Sequence, residues 1–145
     1  MREILFRGKL AINNEWRHSR SHDGTLHSGV VQYDFIPETV GQFSGVYDTE
    51  CEPIYEGDIV RFFRYVGKIV FEYGCFAIAI TENIDWDYIA EEMEEYAGLG
   101  YLTACHCDNL IALWEIMWNF NCDEDTCNVV EVIGNIHDNP ELLEG

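Results

Sequence analysis

Four of the six cysteines fall together late in the chain: Cys105, Cys107, Cys122 and Cys127, with His106 between the first two. Thiolates and imidazoles are the ligands that close a tetrahedral zinc site, so these four cysteines are the candidate metal set. Their spacing, Cys-x-Cys and then Cys-x4-Cys, differs from the paired Cys-x2-Cys of a zinc knuckle. On a strand, Cys105 and Cys107 would share one face and His106 would point to the other. The competing reading is reduced thiols that bind no cofactor and pack as small hydrophobes. Cys51 and Cys75 have no partner nearby in sequence and are expected to pack. Asp123-Glu124-Asp125 lacks the glycine and the terminal glutamate of a calcium loop and reads as a polar turn. His18, His22 and His27, with Asp23, lie in a polar stretch and read as solvated. His137, beside Asp138, reads as a loop residue.

Other reaction chemistry is not signalled. There is no Gly-x-Ser-x-Gly elbow, Gly-x4-Gly-Lys-Ser/Thr phosphate loop, His-Glu-x-x-His pair or Gly-x-Gly-x-x-Gly turn. No catalytic or cofactor-binding residue is assigned, and the expectation is a protein that is not an enzyme. The densest carboxylate run, Glu91, Glu92, Glu94 and Glu95, falls on one side of a helical pattern. It is a candidate interaction surface.

Charge sets the partners. The 145 residues hold 8 Lys and Arg against 27 Asp and Glu, a net of -19. A balance of that sign opposes direct binding to nucleic acid or to an anionic membrane surface. All the Lys and Arg lie in the first 68 positions, against ten acidic residues there, whereas the remaining 77 positions hold 17 acidic residues. Such asymmetry suits association with a second copy or with another protein, or a solvated acidic face. At 48% hydrophobic residues the chain can still bury a core. A membrane-spanning helix needs ~20 apolar residues, and the longest stretch without Asp, Glu, Lys or Arg runs only from Tyr96 to Cys107. With no apolar signal segment near Met1, a cytoplasmic location is expected.

One domain spanning 1–145 is expected, with strands over 1–82, an acidic helical segment over 83–128, and a last strand and helical turn over 129–145. Residues 3–7 alternate as a strand ended by Gly8, and Asn13-Asn14 turn the chain. Residues 40–47 and Ile54-Tyr55 flank a polar turn as a hairpin, and Glu56-Gly57-Asp58 make a second turn. Residues 59–65 and 68–73 suggest a hairpin about Val66-Gly67. Residues 75–81 form an apolar central strand. Trp86, Ile89, Met93 and Tyr96 then recur at helical spacing, with Asn83 or Asp85 as a cap. Residues 110–120 are expected to be helical, residues 129–136 a strand, and Pro140 opens a helical turn.

Three segments resemble the YopX family of small phage and prophage proteins. They are residues 2–9 with Trp16, residues 39–48 with 53–60, and residues 131–143. The second segment is the most specific, and the motif positions read as structural are Gly41, Gln42, Phe43, Gly45, Tyr55, Glu56, Gly57, Asp58, Gly134 and Asn135. Residues 48–52 contain no glycine where the family usually has a Lys/Asn/Gly-rich turn, and residues 86–128 carry no family motif. The resemblance implies a mainly β (β-rich α+β) fold. It would be a small barrel-like antiparallel sheet with one or two peripheral helices in the C-terminal half. It also implies a mobile-element origin and oligomerisation, but no reaction. The glycines read as turns, bulges or close backbone approaches.

Three functions are then in play. The first is a non-enzymatic phage or prophage accessory protein that forms a homo-oligomer and binds a host or phage protein. The second is an acidic mimic of DNA that occupies a basic DNA-binding protein. The third is a zinc-binding module centred on Cys105 to Cys127.

Overall fold

The computed structural model describes residues 4–21, 27–28, 31–32, 35–96, 109–119 and 126–144. The described residues are rich in strands. Strands β1 (Ile4–Lys9) and β2 (Trp16–Ser21) form a hairpin, followed by the short pair β3 (His27–Ser28) and β4 (Val31–Gln32). A 3-10 turn at Pro37–Thr39 leads to β5 (Gly41–Tyr47), β6 (Pro53–Tyr55), β7 (Asp58–Phe62), β8 (Tyr65–Glu72) and β9 (Cys75–Ile80). Helix α1 (Trp86–Tyr96), strand β10 (Leu110–Ala112), helix α2 (Leu113–Asn119), strand β11 (Val130–Asn135) and a 3-10 turn at Pro140–Leu143 complete the order. The strands build a four-stranded antiparallel sheet, β2-β1-β5-β6, and a five-stranded one, β10-β9-β8-β7-β11. The mainly β, barrel-like architecture with peripheral helices late in the chain is therefore correct.

The core follows from alternation. In β7 and β8, Val60, Phe62, Tyr65 and Ile69 are buried, while Arg61 and Lys68 are exposed. Ile78, Ile111, Ile116, Val130 and Cys127 join the same cluster, with Ile89 of α1 fully inside it. Each such side chain contributes roughly 1.5–3 kcal/mol. Helix α1 is tied down at its start, where Asp85 accepts from the N–H of Asp87 (3.1 Å) and Tyr88 (3.2 Å). The Tyr65 hydroxyl accepts from the Asp85 N–H at 2.7 Å. Asp85 is thus the cap, one of the two residues expected.

Several expectations change. β1 continues through Gly8, where a side chain would strike the Phe35 ring at 2.8 Å. β2 extends to Ser21, into the polar stretch that carries the N-terminal histidines. The β7–β8 turn falls at Phe63-Arg64, with Phe63 at φ 55, and not at Val66-Gly67. Gly67 lies inside β8 because a Cβ there would sit 2.5 Å from the Ala79 carbonyl oxygen. The apolar block expected to be one helix splits: Leu110–Ala112 pair with Ala77–Ala79 of β9 before α2 begins. Cys51, expected to pack, is exposed on a turn at φ 61, and Cys75 is half-buried.

The two sheets meet at both ends. At one end Tyr47 bridges Thr126, and its carbonyl accepts the Cys127 N–H at 2.6 Å. At the other, Glu56-Gly57 turn β6 directly into β7. Gly57 has φ 93, and Gly41 lies so close beneath this turn that a Cβ would stand 2.6 Å from the Glu56 carbonyl oxygen. No helix among the described residues is long and apolar enough to cross a membrane.

Candidate functional site

The three sequence segments singled out above converge on the Glu56-Gly57 corner. Arg7 in β1 pairs with Gly41 in β5 and reaches to Asp58, its Nη2 donating to Oδ1 at 2.5 Å. Asp58 is almost wholly buried, and its other oxygen accepts the Tyr55 N–H at 2.8 Å. The guanidinium is stacked between two rings, 4.7 Å from the Trp16 centroid and 4.8 Å from that of Tyr55. The Nε of Arg7 is buried and has no acceptor among the described residues. Burial pushes the Asp58 carboxyl above its ordinary value, outweighing the opposing pull of Arg7 and the Tyr55 N–H.

The C-terminal segment closes the cluster from the other sheet. After β11, the Asn135 side chain accepts the N–H groups of His137 (3.0 Å) and Asp138 (2.9 Å), an Asx turn. That turn aims Asp138 at the first sheet, where Lys9 Nζ and Trp16 Nε1 (2.8 Å) donate to it. Asn135 Nδ2 adds a third donor at 3.1 Å. These donors hold the Asp138 carboxyl down to about 2. The Ile136 N–H donates to the Gly57 carbonyl at 2.9 Å, locking the turn to the corner. Gly134 makes room for it, since a Cβ there would meet Asn139 Oδ1 at 2.7 Å.

Two histidines flank Arg7. His18 is its register partner on β2, with its ring 5.4 Å from that of Tyr55. The His137 ring is 6.0 Å from that of Trp16. Burial first, and then the Arg7 charge, lowers both imidazole pKa values. Lys9 lowers that of His137 further, against the opposing pull of Asp138 and Glu38. His18 is exposed, as read from sequence, and its ring meets Tyr55 at the edge of the cluster, whereas the half-buried His137 is more than a loop residue.

The remaining motif positions shape the strands. The Gln42 carbonyl accepts the Glu56 N–H at 3.0 Å. Phe43 stacks on Tyr47 and Tyr55 at 5.4 and 5.6 Å. Gly45, at φ 92, lies where the β5–β6 register shifts. Asp48, buried at the end of β5, was not singled out. Its carboxylate accepts three backbone N–H groups, those of Glu50 (2.8 Å), Glu52 (2.9 Å) and Val132 (2.8 Å). This carboxylate replaces the glycine turn that the sequence lacks.

The other candidates are placed only in part. Cys127 is buried in the core, whereas Cys105, Cys107 and Cys122, with His106 and Asp123 to Asp125, lie outside the described residues. Among the described residues no group of three His, Cys, Asp or Glu is placed to hold a metal ion. Glu91 is exposed and Glu92 half-buried on α1, while Glu94 and Glu95 belong to the helix with side chains outside the description.

Away from the corner, the end of the five-stranded sheet is rich in uncovered aromatics. Phe71 (51% exposed) and Tyr73 (76%) flank the β8–β9 turn, with Phe71 edge-on to Phe76 at 4.9 Å. β10 runs antiparallel to β9 and its last pair is Ala112 with Ala77, so it ends toward the β8–β9 turn, and Trp114 (58% exposed) follows two residues on.

A family model described as YopX protein matches residues 6–144. The match takes in the corner, the C-terminal turn and both sheets. No curated protein matches the chain.

Proposed function

The chain belongs to the YopX family, and from that membership and the geometry above we propose that it is a non-enzymatic accessory protein of phage or prophage origin. It acts by binding other proteins: it self-associates and holds a partner of basic surface charge. The observation that carries this reading is the uncovered aromatic end formed by Phe71, Tyr73 and Trp114. Large aromatics give the most binding free energy per residue at protein interfaces.

Two further features support it. The charged groups of the corner are engaged with one another: Arg7 with Asp58, and Lys9 and Trp16 with Asp138. Such engagement ties β1 and β2 to β7 and to the C-terminal turn, as a structural scaffold does. Engaging Arg7 and Lys9 internally also removes two of the 8 basic side chains from the outer surface of a chain of net charge -19. Each takes an acidic partner with it, Asp58 and Asp138, so the remaining groups still carry the whole net charge of -19, which favours a basic partner.

Sedimentation of the full chain across salt concentrations tests the proposal. Two copies of charge -19 repel, so apolar self-association should strengthen as salt screens them. The double variant Phe71→Ser, Trp114→Ser should sediment as a monomer throughout. A wild-type protein that stays monomeric at high salt and high concentration, or a variant that still associates, would overturn the self-association. A basic partner should bind less tightly as salt rises, and a salt-insensitive complex would count against the acidic surface.

A further inference from the structure

We propose that the corner is an acid-sensitive clasp: protonation of His137 and His18 releases the C-terminal turn from the four-stranded sheet and loosens that sheet from the five-stranded one.

The argument begins with what holds the sheets together here. One link is the β6–β7 connection, the covalent Glu56-Gly57 turn with the buried Arg7–Asp58 pair between β1 and β7 beside it. The second is the Asn135–Asp138 turn, joined to the first sheet by Lys9 and Trp16 on Asp138, and to the corner by the Ile136 N–H on Gly57. His137 sits within this second link, packed between the Trp16 ring and Gly57, where a Cβ would lie 3.9 Å from Nε2. The charges around it are Arg7 and Lys9 from β1, Glu38 from the Pro37–Thr39 turn, and Asp138 from its own turn. Asp138 already serves Lys9, Trp16 and Asn135, so it could turn to an imidazolium only by giving up the bonds that make the link. His18 adds a second site on the opposite side of Arg7, against Tyr55. There Arg7 is the facing cation, and its Asp58 partner is already engaged at 2.5 Å.

Protonating both histidines would bring to four the cations at a corner that holds two bonded carboxylates, Asp58 and Asp138. Arg7 cannot withdraw easily, being stacked between Trp16 and Tyr55. Relief comes from opening the link that has no covalent tether, which would free the aromatic and cationic side chains of β1 and β2. Burial and the neighbouring cations favour the neutral imidazoles in the closed form, so the open form takes up protons first as pH falls.

Amide hydrogen exchange of the full chain, corrected for intrinsic rates, tests this at pH 7.5 and 5.5. The Ile136 amide and the β1 amides should lose about tenfold protection or more over that interval, since each histidine can contribute up to tenfold per pH unit. The amides of Ile69 and Ile78 in the five-stranded sheet should hold. The loss should vanish in the double variant His18→Gln, His137→Gln. Equal loss in both sheets, no loss at the corner, or a loss that persists in the double variant would each overturn the clasp. The wild-type comparison between the two sheets stands even if the variant does not fold.

Discussion

The indole of Trp16 donates a hydrogen bond to Asp138, 122 positions later in the chain, at 2.8 Å. This contact fastens the first hairpin to the turn that follows the last strand. It also places a carboxylate among three donors, and such an arrangement has a pH signature.

Asp138 is held at about 2 in the folded protein, against 3.8 for an unperturbed aspartate. Its contribution to stability is therefore complete above pH 3.8 and is lost as pH falls from there through about 2. Denaturant midpoints should fall over that window in the wild type. Asp138→Asn should lower the midpoint at pH 5 and flatten this part of the profile. A variant whose midpoint still falls as steeply between pH 4 and 2 would show that another carboxylate carries the effect.

Arg7 and Asp58 make the buried counterpart of that contact, with side chains 11% and 2% exposed. Removing one member of a buried pair leaves the other charge desolvated, so Asp58→Ala should cost about 3–5 kcal/mol. Arg7→Met combined with Asp58→Leu should cost far less than the sum of the single changes, because neither charge is then stranded. Urea denaturation of the four proteins gives the coupling directly. Additive costs would mean that the pair does not act as a unit.

Local patterning made much of the fold legible. Apolar runs between turn residues marked β5 to β9, the helical spacing of Trp86, Ile89 and Met93 marked α1, Gly57 stood where a positive φ is required, and Gly134 where a neighbour comes too close for a side chain. The β7–β8 turn was misplaced because Gly67 looks like a turn residue in sequence, whereas its role is to let β8 and β9 approach. The corner cluster was not legible. Arg7 lies 51 positions from Asp58, and Lys9 lies 129 from Asp138, so no local spacing connects them. The available hint was that Arg7 and Lys9 on β1, like Trp16 and His18 on β2, recur at strand period on one face, while Asp58 and Asp138 lie within the segments that carry the family resemblance.

Gly41 tests the corner sterically. The atom that a Cβ would meet at 2.6 Å is a backbone oxygen, which cannot rotate away as a side chain would. Gly41→Ala must therefore push Glu56 and the turn outward, at about 1–3 kcal/mol. The expected result is a lower melting temperature and loss of exchange protection at the Glu56 amide, which donates to Gln42. Unchanged protection there would mean that the turn absorbs the methyl group without moving.

Asp48 fixes the far end of the same strand. Oδ1 serves the loop N–H groups of Glu50 and Glu52, and Oδ2 serves Val132 on β11. The two loop residues are exposed, so water can replace the carboxylate there, but Val132 is half-buried. Asp48→Ala should therefore cost about 1–3 kcal/mol, chiefly through the Val132 donor. Asp48→Asn separates the two roles. Its carbonyl oxygen can still serve the loop, but its amide then presents a donor to the Val132 N–H, so Asn should remain well short of Asp. Chemical denaturation of the three proteins, with the Val132 amide followed by exchange, checks this order. If Asn restores both stability and Val132 protection, then the loop contacts, and not the tie to β11, are what Asp48 contributes.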